Sequence, residues 1–134
     1  MPVGVPLLQV FISMRAIENI AVPVTNQQLS KQFYLLLGFE LLAEVTMPDG
    51  DIWIQLGFRN QVTTISLVRQ WPYGRMQAGA LQGLVLETDN IIRERDRLHQ
   101  EGVAVSAISE SAFGKVFFLQ DPDLNGLSIH QFSY

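Results

Sequence analysis

The fold is decided by residues 16–40, AIENIAVPVTNQQLSKQFYLLLGFE. Apolar residues alternate with other residues over Ala16–Val24, which predicts a strand with one buried face. The pattern Thr25-x-x-Gln28 matches a capping box, the usual start of a helix. Apolar side chains then recur at helical spacing over Gln27–Leu37. The stretch therefore predicts a strand followed by a helix.

The rest of the chain extends this unit and then repeats it. Three more strands are predicted after the helix, at Glu40–Thr46, Asp51–Leu56 and Thr63–Val68. The second unit is predicted as a strand at Leu81–Glu87, a helix at Asn90–Glu101 with Asp89 as its N-cap, and strands at Val103–Glu110, Gly114–Gln120 and Gly126–Gln131. Both units thus have the order βαβββ.

The spacing of the helix ends indicates an internal duplication. The predicted capping residues Asn26 and Asp89 are 63 residues apart, and the helix-ending Gly38 and Gly102 are 64 apart. We therefore predict an α+β fold in which two βαβββ repeats form a curved, eight-stranded half-barrel around a ligand cavity. The predicted boundaries are an N-terminal arm or extension at residues 1–13 and one domain at 14–134, made of repeat one (14–68), a linker (69–80) and repeat two (81–134).

Composition and charge limit the classes of partner. The chain has 134 residues, 48% of them hydrophobic, and a formal net charge of −4. Nucleic acid is excluded as a partner because phosphate neutralisation needs a basic face, and the nine Lys and Arg residues are scattered. The chain has no cysteine, so a thiolate metal site and a cysteine nucleophile are excluded as well. The apolar run Val3–Ile12 is about half as long as a membrane span, so we predict no membrane association and a cytoplasmic location.

Motifs in both repeats resemble one known superfamily. The run Asn19–Asn26 (NIAVPVTN), then Phe33-Tyr34 and Leu37–Glu40 (LGFE), are similar to the opening of the glyoxalase / bleomycin-resistance / extradiol dioxygenase (vicinal oxygen chelate) proteins. Phe113-Gly114 followed by Asp121–Asn125 (DPDLN) resembles their closing hairpin. Leu124 stands where that family usually has glycine, and Asn125-Gly126 offers residues for a left-handed turn instead.

The resemblance implies four inward-facing metal ligands in the metal-dependent members, one from the first and last strand of each repeat. Strand alternation identifies the corresponding candidates here as Asn19, Ser66, Gln82 and Ser128. Amides and hydroxyls lack the basic nitrogen and the negative charge that hold transition metals. We therefore predict no metal and no cofactor.

Three more residues complete the predicted ligand-binding set. Alternation turns Trp53 and Gln55 toward the cavity, where an indole stacks on a flat ligand or fills the space between the halves. His130 also faces inward and is either a structural histidine or a general base. On the linker, Trp71 and Tyr73 are candidates for closing the cavity mouth or for a dimer surface.

Two classes of function follow. The first resembles the bleomycin-resistance members: a homodimer that sequesters a planar or cationic compound, such as an antibiotic, without metal. The second is a lyase of the glyoxalase type or a ring-cleaving dioxygenase-like enzyme, which would be metal-dependent or use His130. The sequence leaves open whether any reaction is catalysed.

Overall fold

The chain runs twice through the same series of elements. The structure, a computed structural model, describes residues 11–70 and 76–133. The first repeat contains β1 (Asn19–Pro23), α1 (Gln27–Leu37), β2 (Glu40–Thr46), β3 (Ile52–Gly57) and β4 (Thr64–Val68). The second contains β5 (Gln82–Glu87), α2 (Ile91–Gln100), β6 (Ser109–Ser111), β7 (Gly114–Gln120) and β8 (Gly126–Phe132). The predicted α+β class with two βαβββ repeats is confirmed.

Each repeat forms its own four-stranded sheet. The strand orders are β1-β4-β3-β2 and β5-β8-β7-β6. The first and last strands of each repeat pair in parallel, and the other neighbours are antiparallel. The eight predicted strands therefore form two separate sheets of four rather than one closed sheet.

The helix-facing sides of both sheets share one hydrophobic core. Ile54 and Leu67 of the first sheet belong to the same buried cluster as Phe117 and Ile129 of the second. Because the core takes the helix-facing sides, the opposite face of each sheet is left open. Over the described ranges, no helix is long and apolar enough to span a membrane.

A buried turn ties the two repeats together. In the second repeat, Asp121 is only 3% exposed, and its Oδ2 accepts a hydrogen bond from the Tyr34 hydroxyl of α1 at 2.8 Å. Asn125 Nδ2 donates to the same Asp121 oxygen and to the Pro23 carbonyl of β1, both at 2.8 Å. Burial and the nearby Asp121 carboxylate raise the pKa of the Tyr34 phenol well above its ordinary value of 10.0.

The helix starts differ from the prediction in two details. Asn26 is the N-cap of α1, and its side chain accepts from the Leu29 N–H. The predicted capping box is wrong, because Thr25 Oγ1 donates instead to Asp123 Oδ1 at 2.7 Å in the other repeat. The cap of α2 is Asn90 and not Asp89, since the Asn90 side chain accepts from the Arg93 N–H.

The corrected caps make the internal repeat more regular. Asn26 and Asn90 are 64 residues apart, which is also the separation of Gly38 and Gly102. Both glycines have positive φ angles, 115° and 85°, and each N–H donates to the carbonyl three residues earlier. The two helices therefore begin and end in the same way.

Two predicted strands are shorter by more than one residue in the structure. The first begins at Asn19 rather than at Ala16. Val103–Glu110 is wrong as a continuous strand, because the ladder with β7 covers Ser109–Ser111 and is preceded by a single backbone hydrogen bond from the Ser106 N–H to the Phe118 carbonyl. Val103, Val105 and Ile108 nevertheless pack against the core, so their apolar alternation reflects burial without strand pairing.

The turn before β8 also departs from expectation. Leu124 itself adopts the left-handed conformation, with φ of 70°. The neighbouring Asn125-Gly126 pair, which was predicted to supply that conformation, does not have positive φ angles. A side chain at positive φ costs backbone energy, so this turn is strained at Leu124.

Candidate ligand-binding site

The open face of the first sheet carries the predicted polar side chains. The strand register places Ala21, Ser66 and Gln55 side by side on three neighbouring strands, with Asn19 beside Thr64 in the adjacent pair. Neighbours in register share a face, and Ile54, Leu56, Ile65 and Leu67 occupy the opposite, core-facing side. Trp53, two residues before Gln55, therefore lies on the same open face.

These side chains form one hydrogen-bond network. Trp53 Nε1 donates to Gln55 Oε1 at 3.1 Å, and Gln55 Nε2 donates to Thr64 Oγ1 at 2.9 Å. Asn19 Nδ2 donates to the same Thr64 oxygen at 2.9 Å, while Ser66 Oγ donates to Asn19 Oδ1 at 2.8 Å. The network holds the half-buried indole of Trp53 in a fixed orientation.

Trp53 also borders a cavity of about 440 Å³ at one end of this sheet. All the lining residues come from positions 27–70, so the cavity belongs to the first repeat. Its rim includes Asp49 and Asp51 of the β2–β3 turn and Arg69 after β4. The cavity is within the size range of small-molecule sites.

The open face of the second sheet carries the other predicted residues. Ser128 and His130 lie on β8, and their register partners on β7 are Phe118 and Val116. Phe118 is 56% exposed, whereas the adjacent Phe117 is fully buried. Phe118, Ser128 and Gln82 line a cavity of about 690 Å³ whose residues all come from positions 82–128.

A bulge in β5 changes which side chains reach this face. The register shifts between Gln82 and Leu84, and the intervening Gly83 has a φ of 90°. Alternation from Gln82 alone would turn Leu84 and Leu86 to the open face, but after the bulge both pack against the core. Val85 and Glu87 pair with Ser128 and His130 instead, so both share the open face.

Gln82 has a structural task in this arrangement. Its Nε2 donates to the Gly79 carbonyl at 3.0 Å and to the Leu124 carbonyl at 3.2 Å. Its Oε1 lies where a side chain at Gly126 would stand, so Gln82 covers that glycine on the open face. The Gln82 amide nitrogen thus stabilises the turn before β8.

His130 packs against a neighbouring aromatic ring on the open face. Its ring packs edge-on against Phe132, with 4.6 Å between the ring centroids. Glu87 is its register partner on β5. Among the described residues, no ion pair or hydrogen bond joins His130 to this or any other carboxylate.

The four residues at the family's metal-ligand positions do not fit a metal ion. Asn19 and Ser66 lie on the first sheet, whereas Gln82 and Ser128 lie on the second. The Asn19 carbonyl oxygen is already engaged by Ser66. In the part of the chain that the structure describes, no three His, Asp or Glu residues lie close enough together to hold an ion. The donor set is made of neutral amides and hydroxyls, whereas a transition metal is held by imidazole nitrogens and carboxylates.

Sequence reasoning missed a cavity between the two repeats. It has a volume of about 700 Å³ and is bordered by Phe58 and Arg59 of the first repeat and by Val85, Glu87 and Asp89 of the second. These residues come from distant parts of the chain, and no local motif marks them. Trp71 and Tyr73, the predicted mouth or dimer aromatics, lie outside the described residues.

Comparison with known proteins identifies the family. The family model of the Glyoxalase/Bleomycin resistance protein/Dioxygenase superfamily matches residues 16–129. The chain belongs to this superfamily. The match extends from the first predicted strand into β8, so both βαβββ repeats are part of the superfamily domain.

The solved structures similar to this chain include one that is described as an antibiotic binding protein. The chain is similar to TnmS3, described as an antibiotic binding protein from Streptomyces sp. CB03234, with 32% identity, a TM-score of 0.84, and coverage of 91% of this chain and 99% of TnmS3. It is also similar to a glyoxalase/bleomycin resistance protein from the same strain, with 34% identity, a TM-score of 0.74, and coverage of 84% and 97%. A glyoxalase family protein from Enterococcus faecalis matches with 29% identity, a TM-score of 0.67, and coverage of 87% and 97%. No curated protein matched the sequence.

Proposed function

We propose that this protein is a metal-free member of the superfamily that sequesters a planar or cationic small molecule, such as an antibiotic. The observation that carries the proposal is Trp53, whose indole is fixed by Gln55 on an open sheet face beside a cavity. A fixed indole loses little conformational entropy when a flat ligand stacks on it. The similarity to TnmS3, itself described as antibiotic-binding, supports the same class of function.

Catalysis in the manner of the metal-dependent members is less well supported. Such enzymes use a metal to polarise substrate oxygens, and the amides and hydroxyls at the corresponding positions are poor ligands. A metal-independent reaction would need a positioned base, and His130 packs against Phe132 without a carboxylate partner among the described residues. Binding without bond breakage therefore remains the function that these side chains support best.

The proposal includes a homodimer with the ligand at its interface. Within one chain, the cavities on the two open faces are lined by separate repeats. Val85 is 60% exposed and Phe118 56% exposed on the second sheet, and Val45 is 52% exposed on the first. A partner chain that covered these faces would bury the apolar groups and enclose a ligand between sheets of two subunits.

The experiment combines a metal analysis with a thermal-shift screen. We expect the purified protein to contain less than stoichiometric transition metal and to show no large stabilisation by Fe, Mn, Ni or Zn. Glycopeptide drugs and aromatic acids form the rest of the screen, because any ligand that prefers the native state raises the apparent melting temperature. A stoichiometric metal together with a large stabilisation by that metal would replace the binding function with an enzymatic one. The cytoplasmic location stays a prediction, which cell fractionation tests.

A further inference from the structure

In the hydrogen-bond network around Trp53, the groups at the two ends determine which of the other groups donate and which accept. The indole N–H can only donate, so Gln55 must present its carbonyl oxygen to Trp53 and its amide nitrogen to Thr64. At the other end, the single hydroxyl hydrogen of Thr64 goes to the Glu18 carbonyl, 3.0 Å away, which can only accept. The network therefore has one possible arrangement of donors and acceptors at these positions.

The orientation of Asn19 follows from the same constraint. Because the Thr64 hydrogen is used at Glu18, the Thr64 oxygen can only accept from its other neighbours. Asn19 must then turn its amide nitrogen toward Thr64 and its carbonyl oxygen toward Ser66, whose hydroxyl donates to it. Both amide side chains are thus oriented without reference to a ligand.

This arrangement leaves donors available on the open face. Each amide nitrogen carries two hydrogens, and the network uses one of them at Asn19 and one at Gln55. The second N–H of each has no partner among the described residues, and both side chains are only half-buried. The strand residues that share this face around Asn19 and Gln55 are Ala21, Ala43, Thr64 and Ser66, none of which is a carboxylate. Asp49 and Asp51 border the cavity at the Trp53 end of the face, together with Arg69.

We propose that this face selects planar ligands with a carbonyl oxygen at the ring edge over planar cations; the proposal rests on the capture function proposed above. A ring stacked on Trp53 would place such an oxygen against the free N–H groups of Asn19 and Gln55. A cation would bring its own positive charge to the same donors, and the carboxylates of Asp49 and Asp51 at the Trp53 end are accompanied by the Arg69 guanidinium. The preference thus comes from hydrogen-bond polarity, while the stacking is common to every flat ligand.

Three two-ring probes test the proposal: coumarin, which has an edge carbonyl; naphthalene, which has none; and N-methylquinolinium, which is a cation. Affinities are measured from the Trp53 indole signal in nitrogen-15 NMR spectra, with that signal assigned through the Trp53→Phe variant. We expect coumarin to bind about tenfold more tightly than either other probe, the effect of one to two hydrogen bonds.

Two variants exchange a donor for an acceptor while keeping the side-chain shape. Asn19→Asp and Gln55→Glu are each expected to lose the preference for coumarin and to bind N-methylquinolinium more tightly than the wild type. Gln100→Glu, which makes the same charge change on the exposed end of α2, is the matched control and should keep the wild-type order. Circular dichroism verifies that each variant is folded.

The outcomes separate this inference from the function on which it rests. Equal affinity for coumarin and naphthalene, or tightest binding of the cation, would overturn the inference and leave aromatic capture in place. If no probe shifts the Trp53 signal, both the inference and the proposed capture by Trp53 fail. Retention of the coumarin preference in both Asn19→Asp and Gln55→Glu would also overturn the inference.

Discussion

At the level of single residues, the Tyr34 hydroxyl is one of the hydrogen-bonding groups that connect the two repeats. Tyr34 is fully buried in the shared core and reaches across to Asp121. The phenol is neutral when it donates this hydrogen bond, and burial disfavours its ionised form. Its contribution to stability therefore depends on pH in the alkaline range.

We predict that Tyr34→Phe lowers the free energy of unfolding by about 1 to 2 kcal/mol at neutral pH, since it removes a hydrogen bond to a carboxylate. The pKa of Tyr34 is raised in the folded state, so the unfolded chain ionises first. The stabilisation by Tyr34 is thus complete below its ordinary pKa of 10.0 and is lost as the pH rises above it. Urea unfolding at several pH values should show the gap between wild type and variant narrowing above pH 10; a constant gap contradicts the prediction.

Leu124 offers a second test at this scale, because its positive φ strains the turn before β8. Leu124→Gly should be more stable than Leu124→Ala by about 1 kcal/mol, since both remove the side chain but only glycine relieves the backbone. The side chain is 61% exposed, so little burial is lost in either variant. Thermal unfolding of the pair measures the difference, and equal melting temperatures would show that the turn is not strained.

At the level of elements, regular strands were predictable and irregular ones were not. Alternation located the open face of β1, β3 and β4 correctly because their register is uninterrupted. It failed in β5, where the Gly83 bulge reverses the orientation of every following side chain. A single glycine in a strand does not reveal from sequence whether it forms a bulge, so Glu87 could not be placed.

Helix capping shows a similar limit. The sequence Thr88-Asp89-Asn90 contains three residues that cap helices well, and propensity alone does not choose among them. The pairing of Thr25 with Asp123 depends on the other repeat and was equally inaccessible from local sequence. The spacing of the repeats, in contrast, was present in the sequence. With Asn90 as the cap of α2, the starts of the two helices are separated by the same number of residues as their ends.

The cap of α2 can be tested directly. Asn90→Ala should cost about 1 kcal/mol of stability, because the Arg93 N–H loses its acceptor. Asp89→Ala is the matched control and should change stability by less than about 0.5 kcal/mol, since the residue is exposed and does not cap the helix. Chemical denaturation measures the stability of both variants. A larger loss of stability in Asp89→Ala than in Asn90→Ala would show that Asp89 is the N-cap, as the sequence predicted.

At the level of the whole molecule, the fold class followed from the duplicated pattern, but the division of the site did not. Alternation placed Asn19, Ser66, Gln82 and Ser128 in one cavity. In the structure they lie on two sheets, and among the described residues no strand of one sheet pairs with a strand of the other. Whether two half-barrels pair inside one chain or between chains depends on how the repeats dock, and the docking contacts, such as Tyr34 with Asp121, are long-range.

We predict that the protein is a dimer in solution, because a second chain would cover the exposed apolar groups of both open faces. Light scattering on the full-length protein and on a version that starts at Met14 measures this. If both versions are dimers, the sheets make the contact between the subunits. If only the full-length protein is a dimer, the N-terminal arm makes it. A monomer in both contradicts the prediction.

The most direct test of the account is a calorimetric titration of chelator-treated protein with the compound that gives the largest thermal shift in the screen. We predict the same affinity before and after chelation, and binding about tenfold weaker in Trp53→Ala because the stacking surface is gone. Phe113→Ala, which removes an aromatic side chain that is 75% exposed on the β6–β7 turn, should bind as the wild type does. Binding that disappears with the chelator and returns with a transition metal, or that survives the loss of Trp53, would contradict the account.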